Sequence, residues 1–409
     1  MNTNIDLLFL GGVFPLHKMR EVLDNSHDNV QMAANNFQWS LINGFEENLN
    51  KPVTLINEMF IGTFPQHYKK CFIPEEKFSH VPGACDINLG FFNLAYVKHF
   101  LKPRHEKKYV RKWADSHNHG WVFIYALSKR TIRLAKEIKK HHPHMPIICS
   151  VNDLPIHIMK DRKGLMVAAY KQYQQWIVNN GLKSIDGFVL VAERQIDKLR
   201  VDRNACILVE AITETQNEAF VPITTNTKKR IVYAGTLSYQ YNILNLVNAF
   251  CQVHFQDAEL VICGCGDAAD SIRQAAQKDS RIKYLGVISK KETMELMKSA
   301  RVLVNPRFKG QEFTNYSFPI KTIEYLLSGR PVVCQKLEAI PSEYDDHLIY
   351  FEDSDGDAEL ARILENILSL TIEEVNYIGK KNFDFVVNQK SEKVQASRIL
   401  KLFQDLATK

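Results

Sequence analysis

The feature that most constrains this chain is an alternation that runs through it twice. Short apolar runs alternate with amphipathic stretches of helical spacing. In the first half the apolar runs are Ile5–Leu10, Val53–Ile56, Trp121–Tyr125, Pro146–Cys149, Gly187–Val191 and Cys206–Val209, with helical patterns at Arg130–Lys140 and Gly164–Val178. In the second half they are Ile231–Ala234, Glu259–Cys263, Ile282–Leu285, Val302–Asn305, Pro331–Cys334 and Leu348–Phe351. A helix between two strands returns the chain to the end of the sheet it left, so such strands pair in parallel. The pattern predicts an α/β chain of two parallel-sheet domains. Its 409 residues suit two domains of roughly 150 residues or more each. The polar, aperiodic stretch 213–228 reads as a linker between a domain of residues 1–212 and one of residues 229–390. The last helical pattern, within residues 391–409, is placed to pack back on the first domain. Ser289 with Glu292, and Thr371 with Glu374, have the spacing of capping boxes and predict helix starts.

Composition excludes several classes. Hydrophobic residues make up 45% and charged residues 24%, ordinary for a soluble globular chain. No apolar run reaches the roughly 18 residues of a membrane-spanning helix. The first apolar run has no basic residues before it and ends at Gly11-Gly12, so no secretory signal is expected. Of eight cysteines, Cys149 and Cys334 sit in strand-like runs and read as small buried hydrophobes in a reducing compartment. Cys263 and Cys265 have no second pair at ligand spacing, so no metal site is expected. These signs predict a cytoplasmic protein. The net charge of +6 is concentrated: seven basic residues between Lys98 and Lys112 face one acid, Glu106, with aromatics interleaved, and a second basic cluster runs from Lys129 to Lys140. Such patches attract anionic lipid surfaces, nucleic acid or phosphorylated substrates. A solvated helix face is the plainer reading, and a peripheral place on the inner membrane face the functional one; no nucleic-acid partner is expected.

The most informative segment runs from Asn305 to Val333 and reads as strand, loop, helix, strand. Ser317 can cap the helix, Pro319 suits its first turn, and Gly329 ends it. A helix beginning at the carboxyl end of a parallel strand turns its amino end toward the place where ligands bind in open α/β sheets. Free N–H groups and the helix dipole favour an anion such as a diphosphate there. Lys321 in the first turn and Arg307 at the strand end are placed to reach the same anion. Glu324, one turn beyond Lys321, can accept two hydroxyls of a sugar diol. By spacing alone, Lys321 and Glu324 equally read as an ordinary surface ion pair.

This segment resembles the donor-binding motif of retaining GT-B glycosyltransferases of family 4, in the form Phe-Pro-x-Lys-x-x-Glu-Tyr-Leu that is similar to bacterial capsule and exopolysaccharide transferases. The resemblance implies two Rossmann-like domains facing a central cleft, with the acceptor on the first domain and the nucleotide-sugar on the second. It implies that Glu324 binds the ribose hydroxyls of the donor. Tyr316 stands where the family has its first glutamate, and Glu312 is a substitute from the preceding loop; Phe318 belongs to the same motif. Tyr233-Ala-Gly235-Thr236-Leu resembles the first strand and glycine turn of the donor domain. The basic pair expected after it is absent between Thr236 and Ile243, which shifts anion binding to Arg307 and Lys321. Gly264 and Gly266 resemble the Gly-x-Gly turn after the second strand, and Gly286 the segment beside the base. In the first domain Gly11-Gly12 resembles the glycine loop facing donor phosphates and acceptor, and Asp153 is an acceptor-side candidate or a helix cap. His117 and His119 read as loop residues.

The resemblance implies a hexosyltransferase that uses a UDP- or GDP-sugar, no further cofactor and no metal, and a saccharide or lipid-linked saccharide acceptor. The Asp353-Ser-Asp355 sequence mimics a metal-binding motif but sits in a polar loop. A catalytically silent relative acting as a binding or partner subunit is the alternative, motivated by Tyr316 and the missing basic pair. A sugar-nucleotide epimerase would need acid–base residues for which no set is evident. A nicotinamide dehydrogenase is disfavoured because no Gly-x-Gly-x-x-Gly opens a strand–helix unit.

Overall fold

The computed structural model describes residues 5–27, 30–94, 103–152, 172, 176, 178–216, 218–224, 228–309, 312–352 and 357–408. Residue contacts divide the chain into two units, residues 1–212 with 392–409, and residues 213–391.

The first domain is built on strands β1 (Leu7–Gly11), β2 (Thr54–Asn57), β3 (Phe72–Ile73), β4 (Glu76–Phe78), β5 (Asp86–Asn88), β6 (Phe91–Phe92), β7 (Trp121–Tyr125), β8 (Ile147–Val151), β9 (Gly187–Leu190) and β10 (Cys206–Leu208). Eight of them form one sheet in the order β10-β9-β8-β7-β1-β2-β5-β4. It is parallel except at its edge, where β4 runs antiparallel to β5. Strands β1, β7 and β8 are buried along their whole length. A sheet covered on both faces demands unbroken apolar runs, which is why these strands stand out in the sequence. The short polar strands β4 and β5 and the small β3–β6 ladder do not. Neither does the helix Met32–Leu49. It buries Asn35, Gln38 and Ser40 beside its apolar residues, so its inward face does not read as hydrophobic. The helical pattern at Gly164–Val178 lies mostly outside the described residues.

The C-terminal helix Glu392–Ala407 packs on this domain. Phe403 stacks on Trp121 with ring centroids 4.9 Å apart. Gly44 gives the helix room to approach: a Cβ there would lie 2.2 Å from the Glu392 carbonyl oxygen.

The second domain holds β11 (Lys229–Ala234), β12 (Ala258–Cys263), β13 (Ile282–Tyr284), β14 (Val302–Asn305), β15 (Val332–Gln335) and β16 (Ile349–Phe351). All are parallel, in the order β13-β12-β11-β14-β15-β16. Ile231, Leu260, Ile262, Val302 and Val304 form its core with the helices Ile243–Cys251 and Asp357–Ser369. Both capping boxes read from the sequence are formed, at Ser289–Glu292 and Thr371–Glu374. The stretch read as a linker runs along this domain. The Asn376 side chain bonds both backbone groups of Ile223, at 2.7 and 3.0 Å, and the buried Arg330 donates to the Val221 carbonyl at 2.7 Å.

Candidate functional site

An open parallel sheet opens a crevice at the carboxyl ends of the two neighbouring strands where the order of connection reverses. In the second domain those strands are β11 and β14; in the first they are β1 and β7.

Around the carboxyl end of β11 three turns are stitched together by backbone bonds. Gly235 N–H donates to the Cys263 carbonyl (3.0 Å), Leu237 N–H to Cys265 (2.9 Å) and Gly264 N–H to Gly286 (2.8 Å). Gly264 (φ 133°) and Gly266 (φ 156°) permit this closeness. A Cβ on Gly264 would lie 1.8 Å from the Gly235 carbonyl oxygen, and one on Gly266 2.1 Å from that of Leu237. Their glycine character therefore serves the approach of turn to turn. Gly286 (φ 68°) has open space where its Cβ would be. Thr236 is exposed, and its carbonyl accepts from the Tyr233 hydroxyl at 2.7 Å.

The helix Lys321–Leu327 is bolted to the same strand end. Tyr325, fully buried, accepts from Ala234 N–H at 2.9 Å and pairs with the Ala234 carbonyl at 3.2 Å. This brings the Lys321 Cε to 3.3 Å from the Cβ position of Gly235. Burial raises the Cys263 thiol pKa, and the nearby Lys321 ammonium opposes that rise. Lys321 Nζ lies 3.2 Å from Glu324 Oε2, with both side chains about two-fifths exposed (43% and 41%). The ordinary ion pair and the site are thus the same two residues.

Arg307 follows β14. Its Nη2 is 3.5 Å from Ser317 Oγ, and its guanidinium lies 5.8 Å from the centre of the Tyr241 ring. Burial pulls its pKa below the ordinary guanidinium value, against the electrostatic effect of Tyr241 and Tyr233. An anion arriving there would offset that cost of burying a cation. Arg307 acts on the Tyr233 hydroxyl, which is 3.1 Å from the Gly235 Cβ position. Two cations from different elements therefore gather at the end of β11, beside a turn that has none.

Two expectations are corrected here. The helix begins at Lys321 with Ile320 before it and has no side-chain cap, so Ser317 does not cap it and Pro319 precedes its first turn. The reason is backbone pairing: Thr322 N–H donates to the Pro319 carbonyl and Ile323 N–H to that of Ile320 in a tight entry turn. Phe318 and Pro319 are buried, and Phe318 packs on Tyr344 with centroids 5.2 Å apart, which makes it a core residue. Glu312 opens the short helical turn Glu312–Asn315, and Tyr316 follows it, half-buried.

In the first domain the loop after β1 is buried. Gly12 N–H donates to Gln38 Oε1 and Phe14 N–H to Asn35 Oδ1, both at 2.8 Å. Gln38 and Phe60 occupy the space where Gly11 and Gly12 would carry a Cβ, at 2.6 and 2.1 Å. Beside this loop, Glu58 N–H donates to the Gly11 carbonyl, and Glu58 and the buried Glu106 both pair with Arg130. Burial opposes charge on Arg130, but the two carboxylates outweigh it and hold the guanidinium charged. Asp153 lies outside the described residues, as does the Asp353–Asp355 motif. His117 lies just past the helix Pro103–Ser116, outside regular structure, and stacks on Trp113 with ring centroids 4.6 Å apart. No group of three metal-ligating side chains occurs among the described residues.

Residues 228–369 match the family of glycosyl transferases group 1. The match falls within the second domain. Sequence relatives include O-antigen chain mannosyltransferase B of Escherichia coli, 27% identical over 143 residues, which are 33% of this chain and 36% of that protein. Phosphatidyl-myo-inositol mannosyltransferase of Mycobacterium leprae is 29% identical over 158 residues, 38% of this chain and 40% of that one. The chain thus spans well under half the length of the curated relatives it matches. Among solved structures, sucrose-phosphate synthase of Thermosynechococcus elongatus aligns with a TM-score of 0.64 at 14% identity, covering 98% of this chain and 99% of that one. HepE of Anabaena, solved in complex with UDP, aligns at 0.61 and 11% identity over 98% and 100%. These likenesses show the fold, GT-B with two Rossmann-like domains.

Within the second domain, the structure brings Gly235, Gly264, Gly266, Gly286, Lys321, Glu324 and Arg307 to one end of the sheet. Sequence reasoning missed Tyr325 and Tyr241. Tyr325 follows Glu324 directly, and a tyrosine at a core position of a helix signals a buried hydroxyl that needs partners.

Proposed function

We propose that the chain moves a sugar from a UDP- or GDP-linked donor to a saccharide acceptor, carried on a lipid, with retention at the sugar carbon. The observation that carries this reading is the pair Lys321 and Arg307 at the carboxyl end of β11, beside the cation-free turn that starts at Gly235. The acceptor oxygen forms its bond to the sugar carbon as the bond to the diphosphate breaks, and the departing phosphate takes the acceptor proton. The protein holds the partners in register and stabilises charge growing on the diphosphate. Glu324 accepts the donor ribose hydroxyls, and Lys321 exchanges its bond to Glu324 for the phosphate. No metal takes part in this scheme. The family match and the UDP complex of HepE support the donor class, and the O-antigen relative supports a role in bacterial surface polysaccharide synthesis.

The helix Pro103–Ser116 supports a peripheral membrane place for a lipid-carried acceptor. It exposes Lys108, Arg111 and Lys112 while burying Val110 and Trp113. No helix among the described residues is long and apolar enough to cross a membrane.

The test is sugar transfer with Lys321→Ala and Arg307→Ala. Each loses on the order of 100-fold or more in turnover, the usual effect of removing one donor to a developing anion, while circular dichroism stays unchanged. Near-wild-type turnover in both variants would overturn the assignment. A second reading, a silent binding subunit, draws on Tyr316 at the family's glutamate position. Calorimetric titration with UDP and GDP separates the two: saturable binding supports the enzyme, and no heat with either nucleotide supports the silent relative.

A further inference from the structure

The second domain carries a second concentration of positive charge, at the opposite end of its sheet. The six residues of β11 separate the two ends by roughly 17 Å at the rise of a parallel strand. There, at the amino ends of β11 to β14, lies a cavity of about 560 Å³ lined by Lys228, Lys229, Arg281, Lys283 and Arg301, with Asp257 and Glu259 as its acids.

The acids are already engaged. Glu259 is shared by Arg230 (2.6 Å), Lys283 (2.7 Å) and Lys228 (3.7 Å), and Asp257 faces Lys229 at 3.4 Å. Arg281 is held by Asp279 at 2.7 Å. That leaves Arg301. Its residue is 7% exposed, and its Nε and Nη1 have no hydrogen-bond partner among the described residues. Nη2 makes one long contact, 3.4 Å to the Leu370 carbonyl. Five lining cations against two acids give this cavity an excess of positive charge, with a buried guanidinium at its wall. Buried donors are almost always satisfied, and a guanidinium edge matches two oxygens of one oxyanion.

We propose that this cavity binds a phosphoryl group, with Arg301 as its anchor and Lys228 and Lys283 at its mouth. The group comes either from a soluble phosphate or from a phospholipid headgroup. The site is independent of the proposed donor site, since it uses none of its residues.

The test is calorimetric titration of the full chain with inorganic phosphate at low ionic strength. Saturable binding is expected, weakened about tenfold or more by Arg301→Met and unchanged in Lys321→Ala. No saturable binding overturns the proposal. So does binding that Lys321→Ala removes and Arg301→Met keeps, because the phosphate then occupies the donor site. If Arg301→Met does not fold, the double variant Lys228→Gln/Lys283→Gln replaces it, since both side chains are largely exposed (64% and 47%). Severalfold weaker binding then supports the site, and unchanged affinity overturns it. Sedimentation with phosphatidylcholine vesicles, with and without phosphatidic acid, distinguishes the sources. Acid-lipid binding that needs Arg301 assigns a headgroup; phosphate binding without it assigns a soluble ligand.

Discussion

His80 is enclosed between two carboxylates, with Nδ1 2.6 Å from Asp86 and Nε2 2.8 Å from Glu46, and its side chain is 3% exposed. Burial alone would favour neutral imidazole, but the hydrogen bonds to Asp86 and Glu46 win and push its pKa up to about 9. An unfolded histidine titrates near 6.5. The folded value is the higher, so the stabilisation is fully present below about pH 6.5 and is lost as pH rises through about 9. Its size is on the order of 3 kcal/mol. All four tryptophans belong to the first domain, and Trp39 lies 5.7 Å from His80. Tryptophan fluorescence in urea therefore reports this domain. Its unfolding midpoint is expected to fall between pH 6.5 and 9.5, and in His80→Gln that slope is expected to flatten. An equally steep fall in the variant would show that other groups carry it. At the same scale, sequence spacing named Lys321 and Glu324, but it left them indistinguishable from a surface ion pair. Only the fold, which sets the Lys321 Cε 3.3 Å from where a Gly235 Cβ would stand, gives the pair an address.

Turns and short helices carry the site at the scale of elements. Gly264 and Gly286 look alike in sequence and both have positive φ. Alanine at 264 drives a Cβ to 1.8 Å from a backbone carbonyl, whereas at 286 nothing lies within 4 Å. Gly264→Ala is expected to cost more than about 3 kcal/mol, and Gly286→Ala only about 1 kcal/mol, the strain of a left-handed residue. Hydrogen exchange at β11 and β14 checks this; equal loss of protection in both would refute it. Tyr325→Phe leaves the buried Ala234 N–H without its acceptor and is expected to cost about 1–3 kcal/mol. The same exchange measurement should show the helix Lys321–Leu327 loosened, with weaker UDP binding at unchanged overall fold. These turns were legible as glycine motifs, but not as a stitched set. Their bonds join residues from three different strand ends, and no local pattern records that.

For the whole molecule, the return of the C-terminal helix to the first domain is the most consequential connection. Phe403 is completely buried against Trp121. Phe403→Ala is expected to destabilise the first domain by about 3–5 kcal/mol, read as an earlier tryptophan transition with the second domain's hydrogen-exchange protection unchanged. The exposed basic helix makes a second prediction at this scale. Lys108→Glu/Lys112→Glu is expected to abolish binding to anionic vesicles at low salt, since each basic residue near such a surface contributes about 1 kcal/mol. Binding that is indifferent to these charges and to salt would remove the membrane from the proposed function. The fully buried parallel strands and both capping boxes could be read directly, because each depends on neighbours a few residues away. The helix Met32–Leu49 could not. Its Asn35 and Gln38 look like surface residues until the loop after β1 supplies their partners.

Glu324, Lys321 and the alternation of strand and helix were determined by the sequence alone, since periodicity, caps and short motifs are local properties of the chain. Tertiary structure decided that Arg307 and Lys321 share the end of β11, that Phe318 belongs to the core, and that Arg301 stands at a basic cavity on the far side of the same sheet. Each of those facts depends on which strands become neighbours. Strand order is settled by burying the apolar faces of the whole sheet together, not by any one segment.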